Sequence, residues 1–154
     1  MARGDWQLFN KFLEWLSEGV FNLETDTIKL GIIDNVVTPA QDTATPTWDG
    51  TSSQEYDGNE VSTAGGYPAG GLTLSGPETN LASNVLTFDD DDSNLTLSQD
   101  GSGFTDGYWG IMYSDTATNK NAIGYVDLGG PVSEQDGAIN LNFNASGIFT
   151  VTLN

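Results

Sequence analysis

A single change of hydrophobic period divides this chain. Taking about 100° per residue, Trp6, Leu8, Phe9, Phe12, Leu13, Trp15 and Leu16 fall on one half of a helical wheel. Gln7, Asn10, Lys11, Glu14, Ser17 and Glu18 occupy a separate arc. Asp5 is placed to cap the start of such a helix, and Gly19 to stop it, so the pattern predicts a helix over 6–18. Its wide aromatic face suits covering one side or end of a sheet. A helix lying on a membrane surface would carry a Lys/Arg-rich polar face, and this one has a single Lys alongside two Glu.

From Thr25 onward the period is two. Strands are predicted at 27–33, 71–74, 85–88, 95–97, 108–113, 122–128, 139–143 and 148–153. Between them lie Gly, Asn, Asp, Ser and Pro clusters of the turn-forming kind. The final two runs, joined through Asn144-Ala145-Ser146-Gly147, read as a hairpin. Residues 36–70 hold Pro39, Pro46 and Pro68 and aromatics only at Trp48, Tyr56 and Tyr67, which predicts a long excursion with little regular structure. The expected fold is mainly β: an antiparallel β-sandwich or barrel, jelly-roll-like, with one N-terminal amphipathic helix. The 154 residues suit one domain, with a helical segment over 1–23 and the sandwich over 24–154.

Charge narrows the function. Four Lys+Arg stand against 22 Asp+Glu, a net charge of −18, which opposes both phosphate backbones and anionic membrane leaflets. Neither nucleic acid nor membrane is an expected partner. Leu, Ile, Val and Phe make up 36 residues, about 23%, enough to build a core despite the charge. The chain has no His and no Cys. Nucleophilic triads, imidazole or thiolate metal sites, haem ligation and disulfides are therefore beyond it. Met1-Ala2-Arg3-Gly4-Asp5-Trp6 carries no apolar run of the secretory type, so synthesis in the cytoplasm is expected.

What chemistry remains is weakly marked. Asp89-Asp90-Asp91-Asp92-Ser93-Asn94 concentrates charge, and Asp89, Asp91 and Asp100 could offer oxygens to a hard cation. The calcium-loop match then fails, since the sixth position is Asn94 in place of Gly and the twelfth, Asp100, is not Glu. A solvated turn is the reading adopted. Gly65-Gly66-Tyr67-Pro68-Ala69-Gly70-Gly71 lacks the Lys-Ser/Thr of a phosphate loop, and Gly101-Ser102-Gly103 lacks a following helix; both are read as turns. Arg3-Gly4-Asp5 spells an adhesion tripeptide, but Asp5 has a sufficient task as a cap. Among 22 acids no pair stands out for glycoside hydrolysis. Trp48, Tyr56, Tyr67, Tyr108 and Trp109 could form a sugar-stacking platform, though such residues more often fill cores and subunit interfaces. No catalytic residue, cofactor or metal is expected.

Several segments together carry a resemblance. They are 5–10 leading into 19–33, with Asp26-Thr27-Ile28; 60–71, with Gly66-Tyr67-Pro68-Ala69-Gly70-Gly71; Tyr108-Trp109-Gly110-Ile111-Met112-Tyr113-Ser114-Asp115-Thr116-Ala117; 122–129; and the final hairpin. In this combination the chain resembles small virion structural proteins of tailed bacteriophages. The resemblance implies a non-enzymatic structural protein. Its favoured form is a head decoration (cement) protein on the capsid surface, a homotrimer bound to the major capsid protein. A tail or head–tail connector part is the alternative. An acidic mimic of DNA belongs to another class, and is disfavoured because the acids gather in turns. If the chain clamps other proteins, the contacts should lie where acids are few and aromatics many, at Arg3, Trp6, Lys11, Trp48, Tyr56 and Tyr67.

Overall fold

A computed structural model describes residues 4–49, 54–90, 94–144 and 146–152. The chain is mainly β, 43% strand and 8% helix, in antiparallel sheets that do not close into a barrel. At its centre is a five-stranded antiparallel sheet. In spatial order its strands are β1 (Trp6–Leu8), β10 (Ala122–Val132), β9 (Gly107–Ser114), β2 (Ile28–Ile33) and β5 (Leu72–Thr73). The strands predicted at 27–33, 71–74, 108–113 and 122–128 are all present.

Register sorts this sheet's side chains into two faces. Lys29, Gly31 and Ile33 of β2 stand opposite Tyr113, Ile111 and Trp109 of β9, and Tyr125 of β10 opposite Ile111, on one face. Ile28, Leu30 and Ile32 share the other face with Met112, Gly110, Val126 and Trp6. Both faces are buried: of β2 only Lys29 is more than marginally exposed. The near-continuous apolar run of Ile28–Ile33 is the signature of a strand covered on two sides.

The layer on the Leu30 face is a long ribbon. β6 (Pro77–Ala82) turns into β7 (Val85–Asp90) through Ser83 and Asn84, both at positive φ, as a two-residue type I′ hairpin demands. β7 pairs with β12 (Phe149–Thr152), and β8 (Asn94–Leu97) pairs with β11 (Ile139–Asn142). The two pairings nest: Phe88 stands opposite Phe149, and Leu97 opposite Ile139. The stretch 85–97 therefore runs antiparallel to 139–152, with a corner where one pair gives way to the next. The predicted C-terminal hairpin is not formed. β11 and β12 each pair with the earlier ribbon instead, which buries Phe88, Leu95 and Phe149 in one apolar cluster and Leu97 in a second.

The N-terminal segment also departs from expectation. Residues 6–8 are strand, and the helix α1 spans Asn10–Ser17 with Phe9 at its N-cap, so Asp5 does not cap it. Three residues of the wheel are spent on closing the sheet edge against β10. The stop holds: Gly19 adopts φ +73°, its N–H donates to Leu16 O, and Val20 N–H donates to Trp15 O, the paired bonds of a Schellman cap. Phe12 and Trp15 are buried, whereas Leu13 is exposed, so the buried stripe is narrower than the wheel suggests.

The excursion 36–70 is a third layer. It contains little regular structure: β3 (Pro46–Thr47), β4 (Gln54–Glu55) and the 3-10 turn Asp57–Asn59. Yet Trp48, Tyr56, Val61 and Tyr67 are all buried. Trp48 stacks on Tyr113, and Phe9 lies between Tyr56 and Tyr125, so the excursion seals the sheet face that carries Gly31 and Tyr113.

Candidate functional site

The most elaborate polar constellation is built on the glycine-rich stretch. Glu60, half-buried, accepts hydrogen bonds at one oxygen from the Tyr67 hydroxyl (3.0 Å) and from Gly70 N–H (2.7 Å). The same hydroxyl accepts Ile32 N–H at 2.8 Å, and the Tyr113 hydroxyl donates to Gly70 O. Desolvation by burial raises the Glu60 pKa and outweighs the two donors. Burial likewise pushes the phenols of Tyr67 and Tyr113 well above their ordinary range. Gly70 and Gly71 take φ of +80° and +93°, and a Cβ on Gly71 would collide with Leu30 O. Glycine is needed here so that the loop can lie against β2.

Beside it sits a charged cluster. Lys29 pairs with Asp115 at 3.0 Å, and Lys120 with Asp49 at 3.2 Å and with Asp115 at 3.6 Å. These bridges tie β2 and the 115–120 turn to the excursion. A buried carboxylate, Glu134, does the same elsewhere. It accepts Gly66 N–H at 2.8 Å, while its backbone bonds to Phe104 O and Asp100 N. Cβ atoms on Gly65 or Gly103 would collide with it. Each of these groups holds a loop of the chain itself, and the second carboxylate oxygen of Glu134 is buried without a hydrogen-bond partner.

An open groove lies on the other side of the molecule. One part, of about 630 Å³, is lined by Trp6, Val126, Leu128, Ile139, Leu141 and Phe143 among others. A second, of about 740 Å³, continues from it past Gln7, Leu8, Ile148 and Phe149, sharing Gly4, Trp6, Asn142 and Phe143. The groove thus follows β1 along its length, with β11 and β12 as the opposite wall.

The residues singled out from sequence are scattered. Trp48, Tyr56 and Tyr67 were expected at an interface, but they are at most 2% exposed and fill this chain's own core, which withdraws them as contact residues. They also offer no sugar platform. Lys11 pairs with Glu14 on the helix surface, and its ammonium lies 5.9 Å from the Trp15 ring centroid. Trp6 is half-buried on the groove floor, 6.2 Å from the Phe143 ring. Arg3 and Asp91 lie outside the described residues. Asp89 belongs to β7, where its carboxylate accepts Asp90 N–H, whereas Asp100 caps a turn at Ser102 N–H beyond β8. No group of three acidic side chains gathers as a metal site among the described residues. None of their helices is long and apolar enough to cross a membrane.

Sequence reading missed Glu60, Glu134 and the groove. The Gly65–Gly71 run was the available signal for the first two: glycines packed around a carboxylate look like turns until the carboxylate is placed. Comparison with protein-family models, with curated proteins and with solved structures gave no match.

Proposed function

We propose that this chain is a structural component of a tailed-phage virion, a decoration protein that binds the outer surface of the capsid and bridges capsomers, acting as a homotrimer. The observation that carries the reading is where the polar chemistry goes. Glu60, Tyr67, Tyr113 and one carboxylate oxygen of Glu134 anchor loops onto sheets, the other Glu134 oxygen being buried without a hydrogen-bond partner, and the chain has neither His nor Cys. Such a molecule acts by shape and surface. The segment resemblance to small virion proteins points the same way, and a charge of −18 keeps free copies apart before assembly.

The test is mass spectrometry of purified particles of the phage that encodes the chain. A decoration protein is found at many copies per particle. A few copies would identify a tail or connector part, and complete absence would overturn the virion assignment.

A further inference from the structure

We propose that the groove along β1 is a strand-addition site that takes an extended, alternating apolar segment bearing Lys or Arg from another protein.

β1 is the last strand of the five-stranded sheet and pairs only with β10, while β11 and β12 are the last strands of their own sheets. Three of the strands that border the groove are therefore sheet edges. Phe9 N–H donates to Ile123 O, and in an antiparallel ladder bonded and non-bonded residues alternate. Gln7 thus faces β10, and the N–H groups of Trp6 and Leu8 point away from it, toward the open side. The outward backbone groups of Trp6 and Leu8, of which Trp6 O already accepts from Gln7 Nε2 at 3.2 Å, lie beside the apolar side chains of Trp6, Leu141 and Phe143 and offer ladder bonds for a strand and pockets for its alternate side chains.

Charge selects the occupant. The charged side chains described along the groove are Asp5, Asp127 and Asp136, and no described lining residue is cationic. A second copy of this chain fits poorly. Of its described cations, Lys11 is paired with Glu14, Lys29 with Asp115, and Lys120 with Asp49 and Asp115. It has little positive charge to bring, whereas a foreign basic strand complements the acids.

The inference extends the virion reading by naming the contact surface, but its test does not depend on particles. The probe is a synthetic amidated nonapeptide of alternating valine and lysine, titrated into the full chain and followed by amide shifts in NMR. The expected result is saturable binding, with the largest shifts at Trp6–Leu8 and Ile139–Phe143. Binding should weaken at least tenfold when alternate peptide nitrogens are methylated, and similarly when glutamate replaces lysine. The variant Phe143→Ala should also bind at least tenfold more weakly.

Absence of saturable binding, or shifts mapping elsewhere, would overturn the site. Equal binding of the methylated peptide would replace strand addition with simple apolar capture, and so would overturn it too. Self-association mapped to β1 would make a second copy the occupant, against the proposal. If the peptide fails while particles carry the protein, the groove is refuted and the virion reading stands. Peptide binding by a protein absent from particles keeps the groove and refutes the virion reading.

Discussion

The indole of Trp48 lies flat on the ring of Tyr113, with centroids 4.9 Å apart and planes 3° from parallel. The contact depends on Gly31, which faces the same side of the sheet: a Cβ there would collide with the six-membered ring of the indole. Gly31→Ala should therefore overpack the layer and cost about 1 to 3 kcal/mol, and Trp48→Ala should empty it at a cost of about 3 to 5 kcal/mol. Urea denaturation of both variants checks the pair. If the excursion were loosely attached, neither would move the midpoint.

The two faces of α1 separate cleanly by substitution. Trp15 is buried against Phe21, and Leu13 is 49% exposed. Trp15→Ala should lose about 3 to 5 kcal/mol, while Leu13→Ala should stay within about 0.5 kcal/mol of the parent. Thermal melts of the isolated protein distinguish these outcomes. A large loss in Leu13→Ala would mean that the helix packs on its other face.

Glu134 is the acceptor for Gly66 N–H in a fully buried setting. Glu134→Ala should leave that donor unmet and cost about 1 to 3 kcal/mol. Hydrogen exchange should show the Gly66 amide losing protection before the central sheet does. Unchanged exchange at Gly66 would remove the anchoring role.

Glu60 supplies a pH dependence with a definite sign. Burial raises its folded-state pKa above that of the unfolded chain, so the folded state holds the proton more tightly. Stability from this group is present below the unfolded value and is lost as pH rises through the folded one. Glu60→Gln keeps a side-chain carbonyl for the Tyr67 and Gly70 donors and removes the titration. In parallel unfolding curves between mildly acidic and neutral pH, the parent should lose more stability with rising pH than the variant does. Superimposable slopes would contradict this.

The phenols should resist alkali. Burial pushes Tyr56 up to about 12 and raises Tyr67, Tyr113 and Tyr125 as well. The folded state again favours the protonated form, so stability falls as pH climbs past the unfolded tyrosine value near 10. Phenolate absorbance from these residues should emerge together with loss of near-ultraviolet dichroism, in one transition. Full ionisation with tertiary signal intact would disprove their burial.

The fold class is readable because apolar runs such as Ile28–Ile33 and Gly107–Ser114 are of strand length and bounded by turn residues. Gly19 is readable for a local reason, since a left-handed cap requires only its neighbours. Two kinds of feature are not. Strand partners are set by the shared core, so a tight turn at Asn144–Gly147 reads as a hairpin although Ile139–Asn142 and Phe149–Thr152 pair with Asn94–Leu97 and Val85–Asp90. β1 hides inside an apolar pattern that suits helix equally well, because Trp6 and Leu8 keep period two while Trp6 and Phe9 keep helical spacing. The interface assignments of Trp48, Tyr56 and Tyr67 fail because an aromatic in an irregular segment reads alike whether it seals a sheet or awaits a partner. Trp6 does face a groove, and no single-residue property sets it apart from Trp48.

The nested pairing of 85–97 with 139–152 also governs how the chain can be made. β7 emerges from the ribosome long before its β12 neighbour, and until residues 149–152 follow, one side of Val85–Asp90 stays unclaimed. Such distant closure slows folding and leaves a sticky ribbon exposed meanwhile. The aspartates that end this strand, Asp89 and Asp90, sit where repulsion between nascent copies would keep that interval harmless.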